Sequence, residues 1–287
     1  MRSHRIRIFV TAAGMTALSV LSLLSLLVLL SLGSWPAATA FAQAPAPARP
    51  PGGRAAAPKP PSKPTPRLAD GKPNLGLTAN SRGYWSRGDG PLVQGANFPL
   101  KEIPFQPWAK GLYDYRNESL ARDDPYPRCV PHGGPRQFAA AGGFQILQVP
   151  EAQRVYFVSG GASRSWREVF MDGRPHPDVN SDAWNPSYMG HAVGHWDGDT
   201  LVVDSVGFNE KTWMLGREGM PTTEALHLIE RFSRPDFNTL RYEPTIDDPG
   251  AYTKPWSGGW NLHWEPTDME EYFCQDNERD SRNLVGQ

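Results

Sequence analysis

No carboxylate precedes Asp70, although eight basic residues do: Arg2, Arg5, Arg7, Arg49, Arg54, Lys59, Lys63 and Arg67. The 287-residue chain is −1 as a whole, so the part from Asp70 onward carries nine net negative charges. A body of that sign has no basic excess with which to neutralise phosphates, which excludes a broad nucleic-acid-binding surface. Catalytic signatures are missing as well. There is no HExxH, Walker loop, GxGxxG, CxxC or complete EF-hand, and Gly161-Ala162-Ser163-Arg164-Ser165 fails as a nucleophile elbow at its last position. No motif calls for a cofactor or a metal. Asp197-Gly198-Asp199 and Asp247-Asp248 resemble calcium-loop fragments but fall where turns are expected.

The leader is legible. MRSHRIR is followed by an apolar run from Ile8 to Leu32, and Ala40-Phe41-Ala42 offers the small residues that a signal peptidase reads. Residues 1–42 therefore read as a signal peptide. An uncleaved inner-membrane anchor over residues 8–32 is the alternative, because the run is long enough to span a bilayer. That segment would be the chain's only membrane contact. No Cys follows it as a lipidation site. Residues 43–69 are rich in Pro and Ala and lack aromatic residues, so they read as a disordered linker. The globular part is assigned to residues 70–287, with the mature protein periplasmic or secreted.

Nine of the ten Trp residues fall in that part. Trp108, Leu112 and Tyr115 share one face at helical spacing and predict an early helix, ended by Asp123-Asp124-Pro125. Beyond residue 143, short apolar runs are cut by Gly, Pro, Asn and Asp. Strands are expected at 144–149, 154–159, 165–171, 191–196, 200–206, 225–232, 239–246, 260–264 and 270–275. No helical stretches separate them, so the expected fold is mainly β. A single antiparallel, lipocalin-like barrel or a sandwich would bury the strands, with one or two short helices on the N-terminal side.

Asp197-Gly198 is a strong hairpin signal between His191–Trp196 and Thr200–Asp204. With those two residues as the turn, His191 faces Asp204, His195 faces Thr200, and Ala192, Leu201 and Val203 form the core side. A carboxylate opposite an imidazole can orient it as a base, which makes His191 and Asp204 the candidate catalytic pair, with Arg174 or His176 nearby. His191 and His195 point the same way but stand about 13 Å apart on a strand, too far to share a metal. A polar, solvent-facing cross-strand contact is the plain alternative. The loop from Pro127 to Arg136 could present glycine N–H groups to an anion, with Arg128, His132 and Arg136 adding charge. A rigid connector accounts for it equally. Arg128, His132, Arg136, Arg174, His176 and His195 are thus the candidate ligand-binding residues.

Cys129 and Cys274 are the only cysteines. In an exported chain they suggest a disulfide, with two buried thiols as the alternative.

Several long blocks then carry a resemblance. Asp70-Gly71-Lys72-Pro73-Asn74-Leu75, Gly134-Pro135-Arg136-Gln137-Phe138, Asp172-Gly173-Arg174-Pro175-His176-Pro177, residues 190–208 and 224–256, and Tyr272-Phe273-Cys274-Gln275-Asp276-Asn277 stand out. The chain over roughly residues 70–287 resembles an uncharacterised family of exported β-rich bacterial proteins, of the acidobacterial type. The resemblance implies a signal peptide, a β-rich domain and paired cysteines, with no activity to carry over. The functional expectation is an exported barrel that binds a small molecule or glycan in an aromatic-lined cavity. A cofactor-free hydrolase, lyase or isomerase using the His-Asp pair is one alternative, and a structural envelope protein is another.

Overall fold

In the computed structural model of the chain, alternation of side chains along the strands explains the architecture. The structure describes residues 62–79, 81–87, 102–161, 165–215 and 219–274, all within one compact unit, Lys59–Gln287. The leader and most of the expected linker lie outside the described residues. Ten strands occur: β1 (Tyr84–Ser86), β2 (Phe144–Val149), β3 (Arg154–Ser159), β4 (Trp166–Phe170), β5 (His191–Asp197), β6 (Thr200–Val206), β7 (His227–Asp236), β8 (Thr239–Asp247), β9 (Trp256–Ser257) and β10 (Trp260–Glu265). Neighbours follow chain order from β1 to β8. β10 then pairs with both β8 and β1, closing a nine-strand barrel. Short β9 pairs with the far half of β8.

Every pairing is antiparallel except β4–β5, which is parallel and spans only Val169–Ala192 and Phe170–Val193. The expected all-antiparallel sheet is corrected at this seam. Parallel neighbours cannot be joined by a tight hairpin, so a long crossover, residues 171–190, carries the chain from β4 back to the start of β5.

Strands expected at 144–149, 154–159 and 200–206 have those bounds. The expected strand at 270–275 is absent among the described residues 270–274, where Cys274 is tied to Cys129 with Cα atoms 5.6 Å apart. Among the described residues the one α-helix, α1, is Pro107–Glu118 and starts with Pro at its first position, where a missing N–H costs nothing. Its buried residue is Ala109, whereas Trp108 and Tyr115 are about half exposed. Ala109 and Tyr113 are the residues of the helix turned to the core, with Tyr113 against Phe105 at 5.0 Å. No described helix is long and apolar enough to cross a membrane.

Residues 62–69, expected in the linker, lie on the barrel. The Phe237 N–H donates to the Lys63 carbonyl at 2.9 Å, and Arg67 pairs with Asp199 at 2.6 Å. Prolines here favour an extended backbone, which docks as readily as it spaces.

Aromatic side chains occupy the interior. The 3₁₀ turn Gly134–Phe138 is wholly buried, and the Phe138 ring lies 4.8–5.0 Å from Phe144, Phe157, Phe232 and Tyr242. Among these rings Arg167 pairs with Glu230, which also accepts from the Tyr242 hydroxyl at 2.7 Å, while Arg167 donates to Ser205 Oγ at 2.6 Å. A buried ion pair requires such surrounding partners to offset the loss of water. The aromatic residues expected to line a cavity form a buried cluster inside the barrel.

Truncating that cluster should be costly. Phe138→Ala is expected to lower unfolding free energy by about 3–5 kcal/mol in urea titrations. Leu147→Ala, at an exposed position of β2, should change it by no more than about 0.5 kcal/mol. Equal losses would show that Phe138 is not the centre of the core.

Candidate functional site

The β5–β6 hairpin turns one residue later than expected. Asp197 pairs with Thr200, leaving Gly198-Asp199 as the two-residue turn, with Gly198 at φ +59°. Positive φ at the first turn residue is what a type II′ turn demands, and glycine supplies it without strain. The slip preserves which face each residue occupies but changes its partner. His191 now sits opposite Val206, and Asp204 opposite Val193. The direct His191–Asp204 pair is therefore corrected to a diagonal relation on the same outer face.

His176 fills the gap. It comes from the β4–β5 crossover, where Pro175 and Pro177 bias the backbone toward extended conformations and away from helix. Its Nδ1 lies 2.9 Å from His191 Nδ1, and its Nε2 lies 3.1 Å from Asp204 Oδ1. A third imidazole joins from β7. Asp204 pairs with Ile229, which puts His227 on the same face one diagonal step away, and His227 Nε2 lies 2.8 Å from Asp204 Oδ1. Four titratable side chains thus form a chain, His191–His176–Asp204–His227, over an outer wall whose neighbouring residues Val193, Val202, Val206 and Ile229 are apolar and partly or wholly buried.

Proton positions follow from the network. An ionised Asp204 only accepts, so His176 and His227 each donate to it from Nε2. With His176 in its neutral form, its Nδ1 is an acceptor that the His191 Nδ1–H can fill. The lone pair of His191 falls on Nε2, for which no described residue is a hydrogen-bond partner. Burial lowers the His191 pKa from its ordinary value, and His176 and Arg174 lower it further against the opposing pull of Asp172. The base is therefore neutral and able to accept a proton at neutral pH.

The surroundings hold this geometry. The His191 ring stacks on Phe170 at 5.1 Å, across the parallel seam. Phe170 also carries the guanidinium groups of Arg174 at 4.0 Å and Arg154 at 4.5 Å. Both arginines pair with Asp172, whose carboxyl is held well below the usual carboxylate range, chiefly by its hydrogen bonds from Arg174.

Arg174 and His176 thus join the candidate catalytic pair. His195 does not: it is exposed, pairs with Val202, and its charged neighbour is Asp197. Arg128 is exposed at the end of the 3₁₀ turn Tyr126–Arg128. His132 and Arg136 lie elsewhere and are buried. Arg136 is bidentate to Asp124 at 2.8 and 2.7 Å, and burial, with Arg136 beside it, pushes His132 down to about 3. Neither offers a spare positive charge, and Gly133 is required for another reason: a Cβ there would lie 2.1 Å from the Tyr188 carbonyl. The expected anion-binding loop is in this structure a packing device. Among the described residues no set of three His, Cys, Asp or Glu side chains is arranged to hold a metal ion.

His227 lies on β7 together with Arg231. The two share a face, while Glu230 points inward. What links His227 to Asp204 is the β6–β7 register.

Acid should loosen the site. The 2.9 Å contact between two Nδ1 atoms holds one proton, so protonating both rings sets two N–H groups against each other. The folded pKa of His191 lies below its unfolded value, so the unfolded chain binds the extra proton first as pH falls. The associated stability is complete above about pH 6.5 and is lost as pH falls below it. Hydrogen exchange over residues 174–190, corrected for intrinsic rate, is expected to be severalfold faster at pH 5 than at pH 7.5. Equal protection at both values would contradict this linkage.

Neither a family model, nor a curated protein, nor a solved structure matches the chain.

Proposed function

We propose that this chain is an exported acid–base enzyme of the hydrolase, lyase or isomerase class, with His191 as its general base. The observation that carries the reading is the Asp204–His176–His191 chain with its open end at His191 Nε2. When His191 takes a proton from a substrate or from an attacking water, it becomes a cation hydrogen-bonded through Nδ1 to His176. His176 in turn donates to the Asp204 carboxylate, so the new charge is stabilised along a preset path rather than by solvent. Arg174, on the Phe170 ring beside the base, is placed to orient a substrate oxygen. The disulfide supports an oxidising compartment. Periplasmic or secreted location, and membership of the exported bacterial group that the sequence blocks resemble, belong to the same proposal. What favours this wall over interior binding is the unpartnered His191 Nε2 at the end of the relay.

p-Nitrophenyl acetate is a suitable first probe, since a general base can hand water to its carbonyl. Turnover above buffer is expected, falling by about 100-fold or more in His191→Ala and unchanged in His195→Ala. The acid limb of kcat/KM should lie below pH 6.5, following the lowered His191 value. Turnover that survives His191→Ala, or none above buffer across esters, enolisable ketones and β-substituted acids, contradicts the proposal.

A further inference from the structure

Opposite in character to the wall site is a cavity of about 420 Å³ beside the 3₁₀ turn Tyr126–Arg128, lined by Leu120, Tyr126, His132, Arg136 and Ala139–Ala141 among others. That volume lies in the range of small-molecule sites. Its lining includes a polar group that the fold does not satisfy. His132 is 2% exposed and stacks on the Tyr126 ring at 4.7 Å, yet neither imidazole nitrogen has a hydrogen-bond partner among the described residues. Buried polar groups in native proteins are almost always paired, with protein, water or ligand.

We infer that this cavity is a binding site for an uncharged small molecule with an aromatic or compact apolar body and one hydroxyl or amine group. Each part of that description has a residue behind it. The charges in the lining, Arg136 and Asp124, are spent on each other in a bidentate pair with both side chains under 10% exposed. A charged ligand would lose water without gaining a counter-ion. An adjoining hollow that shares Tyr126 and Ala141 carries Glu270 and Glu271, which disfavours an anion further. Neutral His132 offers one donor and one acceptor, which matches a hydroxyl or amine. The Tyr126 ring, Leu120 and the alanines supply the apolar walls. Three residues around the site, Leu120, Ala121 and Cys129, hold left-handed backbone at φ 54–60° without being glycine. Such conformations persist only where surrounding structure enforces them, here next to the disulfide. The proposal shares no residue with the wall site and stands or falls separately from it.

N-Phenyl-1-naphthylamine, neutral, apolar and carrying one amine, is the probe, titrated by fluorescence into the mature chain. Saturable enhancement is expected. Ala140→Trp, which fills the cavity, should weaken binding by about tenfold or more, equivalent to about 1.4 kcal/mol, with the melting temperature measured alongside. Leu120→Glu, at a position 89% exposed where folding is not at stake, should also weaken it. His132→Phe keeps the ring stack and should weaken binding severalfold by removing the hydrogen bond. The anionic analogue 1-anilinonaphthalene-8-sulfonate should bind about tenfold more weakly. Absence of saturable enhancement, or enhancement untouched by both Ala140→Trp and Leu120→Glu, overturns the site. Equal binding of the anionic probe overturns the neutral-ligand assignment.

Discussion

One strand pair runs parallel where its neighbours are antiparallel, and the His191–His176–Asp204–His227 cluster follows from it. β4 and β5 are parallel neighbours held by two residue pairs, so the chain between them must travel back along the outside of the barrel. That return path carries Arg174 and His176 across the outer face of β5 and β6, where His191 and Asp204 already stand. A hairpin in the same place would have left the His191 and Asp204 side chains on a bare wall. The weak seam and the relay also support each other. His191 stacks on Phe170 across the seam, and His176 fastens the crossover to Asp204. The same contacts that support the parallel seam hold the imidazole cluster together.

The interior does a different job. Phe138 and the rings around it pack against one another inside the barrel, and Arg167–Glu230 adds a charge pair whose partners tie β4, β6, β7 and β8 together. A barrel packed in this way is a rigid support. Rigidity matters for the wall, because a base and its carboxylate must hold positions to within fractions of an ångström for the charge to be shared. The Cys129–Cys274 disulfide acts at the other end of the chain's path. It pins the segment leading into the buried turn, and by the chain-entropy model a loop of this length contributes up to about 5 kcal/mol, less any strain.

Much of the β framework was readable from alternation alone, since burial on one face imposes a period of two. β2, β3 and β6 were placed residue for residue. β1 was not, because three residues are too few for a period to register, and its place depends on pairing with β10 and β2. The early helix was legible from the spacing of Trp108, Leu112 and Tyr115, but the face it buries, at Ala109 and Tyr113, was not. At the site, His191 and Asp204 were identifiable from residue type and strand parity, and Arg174 and His176 only as neighbouring polar residues outside any strand. Their connection was not. It depends on a one-residue choice between two glycine turns, and on a parallel crossover that no local pattern announces. His227 was hidden for the same reason: its partner lies on another strand, and only the β6–β7 register brings them together.

The central claim is that Asp204, through His176, leaves His191 with a bare Nε2. Nitrogen-detected NMR of the side-chain imidazoles tests it directly. His191 is expected as the Nδ1–H tautomer and His176 as the Nε2–H tautomer at pH 7.5. Asp204→Asn should disturb both rings while leaving His195 unchanged. A proton on His191 Nε2, or a His191 signal indifferent to Asp204→Asn, would contradict it.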